Sequence, residues 1–148
     1  MSEQNVQFAK GLYDAFNRGD FQFLEKGFSK DLTWNEAENS LYSAGNPYRS
    51  FDAVRDGVFT PTNRDFDSFR CDFEQLVDAG DYVVATGRYR GKCRDTGKTQ
   101  ASQFCHIMHF DLAGKIDRIQ EYSDTYDQAR VTGRLEQVQE MKIPQPAM

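Results

Sequence analysis

Between Val6 and Arg18 the apolar side chains Val6, Phe8 or Ala9, Leu12, Tyr13 and Phe16 recur at three- and four-residue intervals. That spacing predicts an amphipathic helix, because 3.6 residues per turn gather such positions on one face. Asn17-Arg18-Gly19-Asp20 ends the stripe, and Asp20 is suited to cap a second, shorter helix whose apolar positions are Phe21, Leu24 and Phe28. From Leu32 to Glu38 apolar and polar residues alternate, which predicts a strand, and Leu41-Tyr42-Ser43 resumes it after a polar turn. This hairpin is expected to close at Gly45-Asn46-Pro47. Ser50 then serves as N-cap for a third helix through Phe51, Val54 and Val58, which Pro61 is expected to stop.

Beyond that point the period becomes two. Phe69, Cys71 and Phe73 share one face, and Arg70, Asp72 and Glu74 the other. Turn signals at Asp78-Ala79-Gly80-Asp81, Asp95-Thr96-Gly97-Lys98 and Leu112-Ala113-Gly114-Lys115 divide the stretch up to Asp124 into four antiparallel strands of a meander. A closing helix from about Thr125 to Thr132 is broken by Gly133. The remainder, 134–148, reads as a peripheral extension with a further helical stretch before Pro144 and Pro146. Helices first, then a hairpin, a helix and a long meander imply an α+β fold in a single domain spanning 1–148, with a bent sheet wrapped around helices to enclose a cavity.

Composition narrows the partners. The chain of 148 residues carries 12 Phe and 7 Tyr, rings suited to filling a core or lining a ligand cavity. A net charge of −5 argues against capture of nucleic acid or of an anionic membrane, both of which require a basic face. Neither a basic-then-apolar leader nor an apolar run approaching ~18 residues is present, so a cytoplasmic location is expected. Cys71, Cys93 and Cys105 lack CxxC spacing and read as reduced structural thiols.

The order of elements, with Tyr13-Asp14-Ala15-Phe16-Asn17-Arg18-Gly19-Asp20 and Phe110-Asp111-Leu112-Ala113-Gly114-Lys115-Ile116, resembles the NTF2-like superfamily, in particular its SnoaL-like and ketosteroid isomerase-like branch. The resemblance implies a cone-shaped fold, a homodimer and a hydrophobic small-molecule ligand. Such scaffolds also host many unrelated activities. Asp31-Leu32-Thr33-Trp34-Asn35-Glu36 looks like the isomerase segment that bears the proton-shuttling carboxylate, which falls on Glu36. Alignment on Phe110 and Gly114-Lys115 puts His106 where the isomerases hold a protonated aspartic acid as oxyanion donor. Their oxyanion tyrosine corresponds to Leu12, with Tyr13 one step around the helix.

Alternation in Ser102 to Phe110 sets Phe104, His106, Met108 and Phe110 on one face and His109 on the other. A carboxylate in apolar company has a raised pKa and makes a better proton shuttle, and a histidine there can polarise a carbonyl or serve as a core residue satisfied by a neighbour. Glu121-Tyr122-Ser123-Asp124-Thr125 resembles the last-strand end of SnoaL-like proteins and of limonene epoxide hydrolase, which makes Asp124 a further acid–base candidate, although it is equally an N-cap. Arg88-Tyr89-Arg90 has arginine where that hydrolase has an acid. Tyr13, Phe16, Trp34, Phe59, Phe73, Phe104, Met108 and Tyr122 are the candidate substrate-binding residues. His106 and His109 have no third ligand at metal spacing, and neither GxSxG nor a phosphate loop occurs, so no metal and no cofactor are expected.

Two functions follow as expectations. One is a cofactor-independent enzyme moving a proton next to a carbonyl of a hydrophobic ring compound, with Glu36 as base, His106 as donor and Asp124 in reserve. The alternative is a noncatalytic ligand-binding or dimerisation module. In either case Val83, Ala85 and Tyr89 are expected on the outer face of the meander, where two copies of the chain would pack.

Overall fold

The computed structural model describes residues 2–136. Helix α1 (Ser2–Asn17) and the short α2 (Phe21–Glu25) form the opening helical pair. The side chain of Asp20 caps α2 by accepting from the Phe23 amide, and Gly19 takes the left-handed conformation the sharp reversal requires. Asn17 explains why the first motif ends as it does. Its side-chain amide donates to the Cys71 carbonyl and its oxygen accepts from the Cys71 amide, at 2.9 and 2.8 Å, pinning the end of α1 to the sheet.

Five strands make one open sheet in the order β1-β5-β4-β3-β2: β1 (Phe28–Asn35), β2 (Phe66–Ala79), β3 (Tyr82–Cys93), β4 (Thr99–Phe110) and β5 (Ile116–Ser123). β2 to β5 form the expected antiparallel meander, and β1 lies parallel to β5. Register shifts in β2 bend the sheet around the helices, and at Gly87 an added Cβ would stand 2.2 Å from the Asp72 carbonyl oxygen. Only glycine permits that approach. In the second motif, Asp111 caps its own turn by accepting from the Ala113 and Lys115 amides, which sets the register of β5.

Four expectations need correction. Phe28 opens β1 instead of closing α2, because the chain turns at Lys26 and Gly27. Leu41-Tyr42-Ser43 forms no strand; β1 instead meets a single bridge from Trp34 to Tyr48, and the intervening residues make turns. Pro61 does not stop the third helix. α3 (Phe51–Val54), capped by Ser50, runs through a π-helical turn (Arg55–Phe59) into α4 (Thr60–Asp65), with Pro61 directly after the widened turn, where the hydrogen-bond pattern of the helix is already interrupted. Val83, Ala85 and Tyr89 face inward, at 0, 0 and 7% exposure, so they are core residues and cannot form an outer contact surface.

Helix α5 (Thr125–Thr132) lies where the pattern placed it, capped by Asp124 and ended by Gly133 in the left-handed conformation. Cys71, Cys93 and Cys105 are free thiols. Of the 134–148 extension only the first three residues are described, and the helical stretch before Pro144 and Pro146 lies outside them. No described helix is long and apolar enough to cross a membrane.

Candidate active site

Parallel pairing of β1 with β5 brings two carboxyls together. Asn35 is in register with Gln120, so the next residue of each strand is a glutamate, Glu36 and Glu121. Both are buried, at 8 and 5% exposure. The main chain of Glu36 is held from the side by Asn46, whose oxygen accepts from the Glu36 amide and whose nitrogen donates to the Glu36 carbonyl, each at 2.9 Å. The Trp34 indole donates to Glu36 Oε2 at 2.7 Å.

Directly across the sheet from Glu121 stands His106 of β4, with Nε2 2.7 Å from Glu121 Oε1. The Tyr89 hydroxyl donates to the same oxygen at 2.5 Å and lies 2.6 Å from His106 Nε2, while the Tyr13 hydroxyl lies 2.6 Å from His106 Nδ1. Hydrogen-bond accounting assigns the tautomer: Nε2–H donates to the Tyr89 hydroxyl, which in turn donates to Glu121 Oε1, and Nδ1 accepts from Tyr13. Phe104 stacks on the imidazole, ring centres 4.2 Å apart, and closes the back of the network.

The electrostatics are unbalanced. Burial, then the charge of Glu121, pushes the Glu36 pKa well up, and Trp34 opposes this only in part. Burial raises Glu121 as well, against the donors Tyr89 and Trp34 and the Glu36 carboxyl that favour its ionised form. The two carboxyls together therefore hold a proton to higher pH than an ordinary glutamate does, and Glu121, with more donors, is the partner that ionises first. Burial pushes His106 down to about 3, so it is neutral. The Tyr13 and Tyr89 phenols and the Cys71 thiol are all raised by burial and stay protonated.

These groups face a cavity of about 80 Å³ between the helices and the sheet. Rings dominate its wall, among them Tyr13, Phe16, Trp34, Phe59 and Tyr89, with Met108 alongside, and no Lys or Arg lines it. Phe16, Phe28 and Phe69 are half-buried and mark where it approaches the surface. Ser40 and Gln128 form a neutral polar patch in the lining, hydrogen bonded at 3.4 Å.

Of the residues singled out in the sequence, Glu36, His106, Tyr13, Phe16, Trp34, Phe59 and Met108 line this cavity. Phe104 lies behind His106, and Phe73 packs on Tyr13 at 5.6 Å without lining the cavity. Tyr122 is 55% exposed on the opposite face of β5. Asp124 is an exposed cap whose side chain accepts from the Asp127 amide. Glu121, quoted above only as part of the last-strand motif, and Tyr89, expected on the outer face, also belong to this site. Alternation from the apolar Ile119 identifies Glu121 as inward, and that signal was available in the sequence. Among the described residues no group of three or more His, Cys, Asp or Glu converges as metal ligands do.

The sequence model of the SnoaL-like domain matches residues 9–119. An NTF2-like protein from Burkholderia thailandensis has the same fold, with a TM-score of 0.80 at 29% identity over 86% of this chain and 95% of that one. IdmH from Streptomyces antibioticus, provisionally described as a polyketide cyclase, superposes with a TM-score of 0.73 at 22% identity, covering 88% of this chain and 99% of IdmH. TerC, co-crystallised with polyporic acid, gives 0.77 at 19% identity over 87% and 98% of the two chains. No curated protein sequence matches the chain.

Proposed function

Since the chain belongs to the SnoaL-like domain family, we propose that it is a cofactor-independent enzyme that moves a proton next to a carbonyl, isomerising, cyclising or dehydrating an apolar ring compound. The observation that carries this reading is the Glu36–Glu121 pair, two buried carboxyls facing an apolar cavity with no lining cation to fix their charge. A pair that retains one proton offers a base and an acid at once.

Glu121, ionised and oriented by the Tyr89 hydroxyl, which His106 holds in turn, is the base. It takes the proton from the carbon beside the carbonyl, and the electron pair of the broken C–H bond becomes the C=C bond of an enol. Glu36 is the acid, and its proton passes to the carbonyl oxygen. Glu121 then returns its proton to a different carbon while the enol O–H proton goes back to Glu36 and the carbonyl re-forms, which completes an isomerisation. His106 is a positioning residue in this scheme, because both ring nitrogens are already engaged, Nδ1 by Tyr13 and Nε2 by Tyr89. That differs from the direct donor expected from the sequence.

The space present, about 80 Å³, is smaller than the ~150 Å³ of an apolar cavity that holds benzene. Entry therefore requires the half-buried rings at the rim to turn outward. IdmH and TerC, whose descriptions involve polyketide cyclisation and polyporic acid, agree with a ring ligand at the level of fold.

The test is deuterium exchange from solvent into a panel of enolisable ring ketones, followed by NMR. The protein is expected to accelerate exchange for at least one, and Glu36→Gln and Glu121→Gln are each expected to lower the rate by ~10²–10⁴-fold while remaining folded. Full activity in either variant sinks the assignment. Binding without exchange across the panel supports the noncatalytic module.

A further inference from the structure

Two spaces lie back to back at the start of β1. Inside is the cavity of about 80 Å³; outside is a surface groove of about 610 Å³ between α2, β1 and α3, bounded among others by Gln22, Lys26, Ser50 and Asp52. Phe28 is the one described residue that lines both. Its half-buried ring separates them, leaning on Trp34 of the cavity wall and on Phe51 of the groove wall, with ring centres 5.7 Å apart in each case. The backbone under this ring is loosely tied. Phe28 pairs with Ile116 of β5 and the next pair of that ladder is Thr33 with Arg118, so five positions of β1 pass two of β5. Lys30 and Asp31 in this bulge are exposed, and its one side-chain tie is local, Ser29 Oγ accepting from the Asp31 amide at 3.0 Å. The other two half-buried rings of the cavity wall are held by more neighbours. Phe16 packs on Phe21, Phe59 and Phe69 beside the pinned end of α1, and Phe69 packs on Phe16, Phe66 and Tyr89; neither lines the groove.

We propose that Phe28 is the door of the cavity and the residue that sets the size of ring admitted: its side chain turns into the outer groove, and the ligand enters through the place the ring vacates. The inference rests on the reading of the cavity as the ligand site and adds to it the way in. The closed cavity is too small for a ring ligand, and the space one phenyl group vacates is that of one six-membered ring. The groove has room for the displaced side chain, and Phe51 offers it an apolar surface there, so opening forfeits only part of a burial that is already incomplete. A fused pair of rings needs a wider passage than one phenyl leaves. Entry that waits on such a turn also has a kinetic signature that a fixed wall lacks: the association rate levels off as ligand concentration rises, at the rate of opening.

Trp34, the sole tryptophan, lines the cavity and reports entry through its fluorescence. The experiment is stopped-flow mixing of the intact chain with cyclohexanone, one ring, and with 2-decalone, two fused rings, over a range of concentrations. In the unaltered protein the observed rate is expected to level off with rising cyclohexanone, and 2-decalone is expected to enter about tenfold more slowly. In Phe28→Ala the rate is expected to rise in proportion to concentration with no plateau, and the difference between the two probes to shrink to about threefold or less. Phe16→Ala and Phe69→Ala are expected to keep the plateau within about twofold of its original rate. If Phe28→Ala does not fold, Phe28→Leu carries the comparison, with the plateau raised about threefold by the smaller side chain. Proportional rates in the unaltered protein, a plateau unchanged by either Phe28 variant, its loss in Phe16→Ala or Phe69→Ala as well, or no binding of either probe overturns the proposal. Gated entry without deuterium exchange leaves the door standing and removes the enzyme; exchange with ungated entry does the reverse.

Discussion

Two clusters of buried acidic residues in this molecule are built on opposite principles. Asp65, at the junction of α4 and β2, is fully matched: Arg134 reaches both its oxygens at 3.1 and 3.2 Å, Arg64 donates at 3.2 Å and Tyr42 at 2.8 Å. Its pKa is lowered by these partners despite burial, so its charge is secure, and the cluster ties the segment after α5 back to the sheet. Glu36 and Glu121 have no arginine or lysine. Their neighbours are rings, an indole, a neutral histidine and each other, and both pKa values are raised. The first arrangement stabilises a fold. The second holds an exchangeable proton against the solvation preference of its own groups, which is a sign of a site and not of a strut.

The sharpest way to break this contrast is to neutralise one member of each cluster. Glu36→Gln is expected to lower turnover by ~10³-fold, within the range of a lost general acid or base, and to leave thermal stability at pH 7 unchanged or higher because it removes an unpaired buried acid. Asp65→Asn is expected to do the opposite, costing about 2 kcal/mol in denaturant unfolding through the loss of charge-assisted bonds while turnover per folded molecule is kept. A loss of activity in Asp65→Asn equal to that in Glu36→Gln would erase the distinction.

Smaller changes sharpen it. Tyr89→Phe removes one donor that favours ionised Glu121, so the acidic limb of the pH–rate profile is expected to move to higher pH, with about a tenfold lower rate below that limb. The smallest effect is in stability against pH, and its sign differs between the clusters. Glu36 titrates higher when folded than its ordinary value of 4.5, so its contribution is present below that value and is lost as pH rises; the melting temperature of the protein should fall relative to Glu36→Gln above about pH 4.5. Asp65 titrates lower when folded, so its advantage over Asp65→Asn should be present above pH 3.8 and lost as pH falls below it. His106, pushed down from 6.5 to about 3, contributes stability above pH 6.5 that is progressively lost toward pH 3. Thermal melts across pH 3 to 8 read all three trends.

Much of the fold could be read in advance where one periodicity dominated. The stripe in α1, the caps Asp20, Ser50 and Asp124, and the glycine-marked turns of the meander are local signals, decided by residues a few positions apart, and the structure keeps them. Alternation in β4 correctly put His106 with Phe104 and Met108 on the inner face, because that face alone is strongly apolar. In β3 both Tyr82 with Val84 and Val83 with Ala85 look apolar, so alternation separates the faces without telling which is inside, and the inward side of Tyr89 is set by the sheet's curvature around the helices. Leu41-Tyr42-Ser43 has a strand-like composition, yet Tyr48 is the residue that pairs with Trp34, a choice made by the Asn46 clamp on Glu36 and not by local propensity.

The sequence by itself determined the α+β class, the meander, the helix boundaries set by caps and glycines, and a carboxylate and a histidine on apolar faces, because each depends on short-range periodicity and hydrogen bonding within a few residues. Only the tertiary structure decided that Glu36 would meet Glu121, since β1 pairs in parallel with a strand more than eighty positions away and one residue of slip would turn either carboxyl to the other face. The raised pKa of the pair and the neutral His106 follow from that register, through burial and proximity that no stretch of sequence contains on its own.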